Sequence, residues 1–250
     1  MNLFQRRAIA MLMAVAVAAG GATSCGEDGA TTSTTASIDP ARVAKRDAIR
    51  NATDAASYSP TVRDCLADRA VASPNIDIAT LDQLTDAKTT TNDISEANRS
   101  GFLDVVDKCL DIKVMAALTV VGVVNEMVAG LHLPDGELAC ARDKLVELFP
   151  TASALMSALQ DADEAMSAAT TVSIMHALGA CMSEASMQSM VGGIFAQQGL
   201  TPAQGACVAR GVIGELGVQR LADTLGRGTE PSPGHEEFVK ASERAGRNCG

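Results

Sequence analysis

The chain has very few aromatic residues. Its 250 residues include no tryptophan, one tyrosine and five phenylalanines. Alternating stretches of β-branched and aromatic residues, the usual signal of strands, are nearly absent. Apolar residues instead recur at three- and four-residue intervals, as at Ile174, Ala177 and Leu178, which is typical of one helix face. The sequence therefore predicts an all-α protein with a core of Ala, Val, Leu and Met.

The chain also lacks the short motifs that mark many catalytic centres. It contains no G-x-S-x-G, H-E-x-x-H or C-x-x-C motif and no glycine-rich phosphate loop. Its three histidines, His132, His176 and His235, have no metal-ligand spacing, which argues against a zinc site. We expect His176 to be a half-buried structural residue. The sequence thus predicts no enzymatic activity, no metal and no cofactor.

Positive charge is scarce as well. Twenty Lys and Arg residues stand against 30 Asp and Glu residues, so the net charge is −10. An acidic surface repels phosphate backbones and anionic lipid headgroups. We therefore expect no nucleic-acid partner, and membrane attachment would need something other than basic residues.

The N-terminus resembles an export signal. Two arginines precede an uncharged run from Ala8 to Ala22, which is shorter than the roughly 20 residues of a membrane span. The following "ATSC" resembles the lipobox of bacterial lipoproteins, although Ala22 stands where Leu is most common. We predict a lipoprotein signal peptide at 1–24. A lipidated Cys25 would then begin a flexible Thr/Ser/acidic tether at 25–40, and a diacylglyceryl or acyl group would anchor it to the membrane. The alternative is ordinary cleavage after Ser24, which would give a secreted protein without lipid.

The number of cysteines bears on this choice. Seven is odd, and an unpaired thiol in an exported protein needs an explanation. Without Cys25, six remain, and an oxidising compartment favours their pairing into disulfides. Long gaps of 41 to 44 residues alternate with short gaps of 26 and 31; the six are Cys65, Cys109, Cys140, Cys181, Cys207 and Cys249.

The alternating gaps indicate an internal repeat. The first cysteine of each pair lies in a similar segment: "SPTVRDCLADRAV", "LPDGELACARDKLVEL" and "LTPAQGACVARGVIGEL". Ser59-Pro60 and Thr201-Pro202 have the pattern of an N-cap followed by proline at the first helical position, and Leu133-Pro134 is a weaker copy. Pairing within units gives Cys65–Cys109, Cys140–Cys181 and Cys207–Cys249, because pairing across units would leave the first and last cysteines far apart.

Each unit is predicted to contain three helices. The first carries one cysteine, the second is short, and the third carries the other cysteine and continues into the next unit. The predicted helical domain spans 41–250, with units at about 58–127, 133–198 and 200–250, in one elongated or bundled arrangement. The stretch from Val114 to Val124 is apolar all round, so we expect a central helix buried on every side rather than a membrane span.

Methionines are concentrated in the middle unit. They could bind Cu(I) together with His176, fill gaps in an aromatic-poor core, or line an apolar ligand surface. The helical spacing of these methionines favours the second alternative, that they fill gaps in the core. The six methionines are Met156, Met166, Met175, Met182, Met187 and Met190.

The whole pattern resembles a group of uncharacterised actinobacterial envelope lipoproteins with Thr/Ser/acid-rich tethers and tandem cysteine-containing helical repeats. "LTPAQGACVARGVIGEL" carries the resemblance best, and the likeness covers roughly Ser59 to Gly250. It implies a lipoprotein on the extracytoplasmic face of a bacterial cell membrane. We expect a non-enzymatic structural or protein-interaction module of the envelope with a protein partner. The alternative is a binding protein for an apolar ligand such as a lipid.

Overall fold

The computed structural model describes residues 39–54, 58–85, 93–160, 168–228 and 232–249. These residues form helices joined by turns and loops, and no strand occurs among them, which confirms the all-α class. The predicted signal peptide, Cys25, most of the tether and Met166 lie outside the described residues.

The chain divides into two compact units, one ending at Leu110 and the other beginning at Asp111. The first, called here the N-terminal unit, contains α1 (Pro40–Val43), α2 (Arg46–Asp54), α3 (Pro60–Ala72), α4 (Ile78–Gln83) and α5 (Glu96–Cys109). The second, called the C-terminal unit, contains α6 (Ile112–Met127), α7 (Asp135–Leu148), α8 (Ala152–Gln160), α9 (Ala168–Cys181), α10 (Glu184–Gln197), α11 (Pro202–Leu216), α12 (Val218–Arg227) and α13 (Pro233–Asn248).

Two of the predicted helix starts are confirmed. Ser59 caps α3 by accepting a hydrogen bond from the amide of Val62, and Pro60 occupies the first turn. Thr201 caps α11 in the same way and forms a reciprocal capping box with Gln204. These side chains satisfy backbone N–H groups that have no partner within the helix.

The helices that carry Cys109 and Cys181 end at those residues, so the prediction that they continue into the next unit is wrong. Helix α5 stops at Cys109, and the Asp111 side chain then caps α6 by accepting from the Lys113 amide at 2.7 Å. Helix α9 stops at Cys181, and Ser183 caps α10. Asp and Ser stabilise a new helix start by bonding its free amides, which favours a break over a continuous helix.

The N-terminal unit has a small apolar core. Helix α3 packs between α2 and α5, and the core residues come from these helices and from the α3–α4 region. They are Ile49, Leu66, Ala67, Ala70, Val71, Ile76, Leu81 and Val105.

The C-terminal unit has the larger core. Its main helix contacts are α10 with α11, α9 with α12, α11 with α13, and α6 with α7. The stretch 114–124 is not buried on every side, because Val114 is 50% exposed while Val120 and Val124 are buried. Helix α6 belongs to this unit, whereas the predicted repeat boundaries placed it at the end of the first repeat. The tandem repeat itself stays a prediction.

No helix in the described part of the chain is both long enough and apolar enough to cross a membrane.

Candidate functional site

Three disulfides lie within the units, one in the N-terminal unit and two in the C-terminal unit. They are Cys65–Cys109, Cys140–Cys181 and Cys207–Cys249, the same pairs that the spacing predicts, with Cα–Cα distances of 5.6, 5.6 and 5.8 Å. Each links a helix to the helix two positions further along the chain: α3 to α5, α7 to α9, and α11 to the residue that follows α13. The surrounding residues are thereby held in fixed positions.

A polar pocket lies beside the first disulfide. It occupies about 310 Å³ between the C-terminal end of α3 and the face of α5. That volume is at the lower end of the range of small-molecule sites. We call it the α3–α5 pocket. Its lining residues are Arg69, Ala72, Ser73, Pro74, Asn75, Asp104, Val105 and Lys108.

The disulfide fixes the backbone positions of two basic residues that line this pocket. Arg69 lies four residues after Cys65, one helical turn along α3, and Lys108 directly precedes Cys109 on α5. Because the two cysteines are covalently joined, the backbone positions of both basic residues are fixed beside the same short cross-link.

The turn that forms one wall is held in place from behind. The Arg42 guanidinium donates hydrogen bonds to the carbonyl oxygens of Val71, Ser73 and Ile76 at 2.8, 2.6 and 2.7 Å. The carbonyls of Val71 and Ser73 lie at the C-terminal end of α3, where helices carry partial negative charge. Arg42 therefore both rigidifies the turn and offsets its negative potential.

Close backbone contact secures the same turn against α5. A Cβ atom added to Gly101 would lie 2.6 Å from the carbonyl oxygen of Asn75, so glycine is required for this approach. Behind the pocket, the Val105 side chain is 2% exposed and belongs to the core. The pocket thus has a rigid wall and a packed base.

The charges in the α3–α5 pocket are unequal. The Lys108 ammonium donates to the Asp104 carboxylate at 2.7 Å, one turn earlier on α5. Arg69 has neither a hydrogen-bond nor an ion-pair partner within the described part of the chain. The pocket therefore carries one unneutralised positive charge in a protein that is acidic as a whole.

A second polar cluster joins α9 to α12. Nδ1 of His176 lies 2.9 Å from Oδ1 of Asp223, and the Gln219 amide donates to that carboxylate at 3.1 Å. The His176 side chain is 61% exposed, so the expectation of a half-buried histidine is wrong. Among the described residues no hydroxyl or thiol is hydrogen-bonded to this imidazole, and the cluster therefore lacks the nucleophile that a catalytic triad needs.

The structure places most of the predicted methionine surface inside the core. Met175, Met182, Met187 and Met190 are between 0% and 6% exposed and pack in the C-terminal unit. Met156 is half-buried. Nor do three or more His, Cys, Asp or Glu side chains within the described ranges come together in a way that could hold a metal ion.

Sequence reasoning found the disulfide cysteines but missed the α3–α5 pocket. Arg69 and Lys108 are far apart in the chain and belong to no motif, and only the fold brings them together. The usable signal was their placement beside paired cysteines. Comparison with known proteins found no matching protein family, no matching curated protein and no matching solved structure.

Proposed function

We propose that this chain is an exported lipoprotein, anchored through Cys25, whose helical body acts as a non-enzymatic interaction module of the bacterial envelope. The observation that carries the proposal is the use of its cysteines. Six of them form three disulfides, and Cys25 is the one that remains. Disulfides persist in oxidising compartments, and lipidation would account for the remaining cysteine.

An interaction function is favoured over a lipid carrier by the way the C-terminal unit is packed. A carrier needs an apolar cavity, and the methionines of the middle region were the candidates to line it. Met187 and Met190 are fully buried against the side chains of the core. A lipid could enter there only if these helices separated.

The tether would give this body freedom above the membrane. Residues 26–40 are rich in Thr, Ser, Gly and acidic residues, a composition that buries no core. Fully extended, such a segment spans about 50 Å. The module could then reach partners in the envelope without embedding any helix.

The first experiment is mass spectrometry of the protein extracted from its own membrane. The expected covalent mass is that of a chain beginning at Cys25, carrying acyl groups and lacking six protons for three disulfides. A Cys25→Ser variant should lose the acyl mass and move from the detergent phase to the aqueous phase. An unacylated chain that begins after Ser24 would refute the anchor.

Native mass spectrometry of the same preparation separates the two functions. A bound protein at fixed stoichiometry is expected for an interaction module. A stoichiometric lipid adduct that survives in Cys25→Ser would instead support the carrier and overturn the interaction function.

A further inference from the structure

We propose that the α3–α5 pocket of the N-terminal unit binds a small soluble anion through Arg69 and Lys108. The ligand chemistry is a phosphate or carboxylate group on a molecule small enough for about 310 Å³. The proposal is independent of the anchor at Cys25 and of the function proposed above.

Arg69 is the main binding group. A guanidinium presents several N–H donors in a plane and binds phosphate or carboxylate through two parallel hydrogen bonds. Arg69 lines the pocket and has no partner within the described residues, so no existing ion pair must break. Lys108 would add a second donor while staying in contact with Asp104.

The local electrostatics favour an anion despite the acidic chain. The C-terminal end of a helix normally repels anions, because its last carbonyls are unpaired. Here the Arg42 guanidinium bonds the carbonyls of Ala70, Val71 and Ser73. The negative end of α3 is thus already compensated from outside the pocket.

The pocket is also formed before any ligand arrives. The Cys65–Cys109 disulfide, the Arg42 bonds and the close approach of Gly101 to Asn75 each restrain a different part of its wall. A preformed site loses little conformational entropy on binding. Arg69 and Lys108 are themselves exposed, but the backbone that carries them is already held in place.

The corresponding positions beside the other disulfides carry a different pattern. Four residues after the first cysteine of each later pair stand Lys144 and Gly211, and directly before the second cysteine stand Ala180 and Asn248. Neither later pair has two cations in these places. The combination is therefore not a general feature of the disulfide helices.

A soluble ligand fits better than a membrane surface. The chain carries a net charge of −10, so an anionic bilayer would repel the body as a whole. A small anion meets only the local field within about a Debye length of 8–10 Å. We therefore assign the pocket to a free molecule rather than to a lipid headgroup in a bilayer.

Isothermal titration calorimetry of the full chain in detergent tests the proposal. The probes are inorganic phosphate, glycerol 3-phosphate and N-acetylglycine, with phosphatidylglycerol vesicles as a separate arm. We expect one site for at least one soluble probe, with a Kd of about 1 mM or tighter. Binding by the phosphates alone would identify a phosphate ligand, and binding by N-acetylglycine alone a carboxylate.

Matched variants tie the binding to the pocket. Arg69→Gln should weaken binding at least about tenfold, the loss expected for a charge-assisted contact, and Arg69→Lys should restore part of it. Lys240→Gln makes the same charge change on α13, where that side chain is 63% exposed, and should change the Kd less than about twofold. The proposal is overturned if no soluble probe binds, if only the vesicles bind, or if Lys240→Gln weakens binding as much as Arg69→Gln.

Discussion

The contact between α9 and α12 offers a sharp test of the packing in the C-terminal unit. A Cβ atom added to Gly179 on α9 would lie 2.5 Å from the Cβ atom of Ala222 on α12. Both atoms are attached directly to helix backbones, so neither can rotate away. Gly179→Ala therefore requires the two helices to move apart.

The magnitude follows from two opposing effects. Replacing glycine by alanine within a helix stabilises the helix by about 1 kcal/mol through its higher helix propensity. Forcing an extra methyl group into a filled core costs roughly 1–3 kcal/mol. We expect a net loss of about 1–2 kcal/mol, because Ala222 is fully buried and the methyl group would overlap an atom fixed to a helix backbone.

Urea unfolding followed by circular dichroism measures the effect, and a double-mutant cycle supplies the decisive comparison. Moving the methyl group across the contact in Gly179→Ala/Ala222→Gly should recover most of the stability, with a coupling energy of at least about 1 kcal/mol. Gly214→Ala on α11, where an added Cβ meets nothing within 4 Å, should instead stabilise the protein by about 0.5–1 kcal/mol. Additive effects of Gly179→Ala and Ala222→Gly would refute the close contact.

Three further predictions concern other parts of the fold. Replacing Cys207 and Cys249 together by serine should lower the free energy of unfolding by about 4 kcal/mol, the chain-entropy value for a separation of 42 residues, as measured by urea titration without reductant. Arg42→Met should lower the free energy of unfolding by about 2–4 kcal/mol, because several carbonyls of the turn after α3 lose a charged donor. The control Arg46→Met removes only an exposed ion pair with Asp68 and should lower it by less than about 1 kcal/mol. Equal losses in the two variants would contradict the proposed role of Arg42. Burial raises the pKa of the Glu126 carboxyl above 4.5, so folding favours its neutral form. Glu126 contributes most to stability at acidic pH, where its carboxyl is neutral, and this contribution is lost as the pH rises through the raised pKa. Because glutamine stays neutral, Glu126→Gln should stabilise the protein more at pH 7 than at pH 4, as measured by thermal unfolding.

The scarcity of aromatic side chains in the core gives a physical reason for the disulfides. Large aromatic side chains supply much of the buried area in most domains, and aromatic residues are 2% of this chain. The N-terminal unit has a core of only a few aliphatic side chains and one disulfide. A covalent link that restricts the unfolded chain compensates for limited apolar burial.

Local features of the sequence were sufficient to predict the fold class and two helix starts. Ser59 and Thr201 cap their helices as predicted, because capping depends on a few neighbouring residues. The break after Cys109 was missed although Asp111 is a good cap, because the apolar residues on both sides suggested one continuous helix. Hydrophobic periodicity predicts the existence of a helix more reliably than it predicts the residue at which the helix ends.

The helical class, the regular spacing of six cysteines and the predicted export signal at 1–24 can all be inferred from the sequence alone. Each of these depends on neighbouring residues or on a count along the chain. The fold was needed to show that Met187 and Met190 lie in the core, that Val114 is exposed, and that Arg69 and Lys108 line one pocket. Burial and pocket lining depend on which helix faces meet, and that is set by packing between segments distant in the sequence.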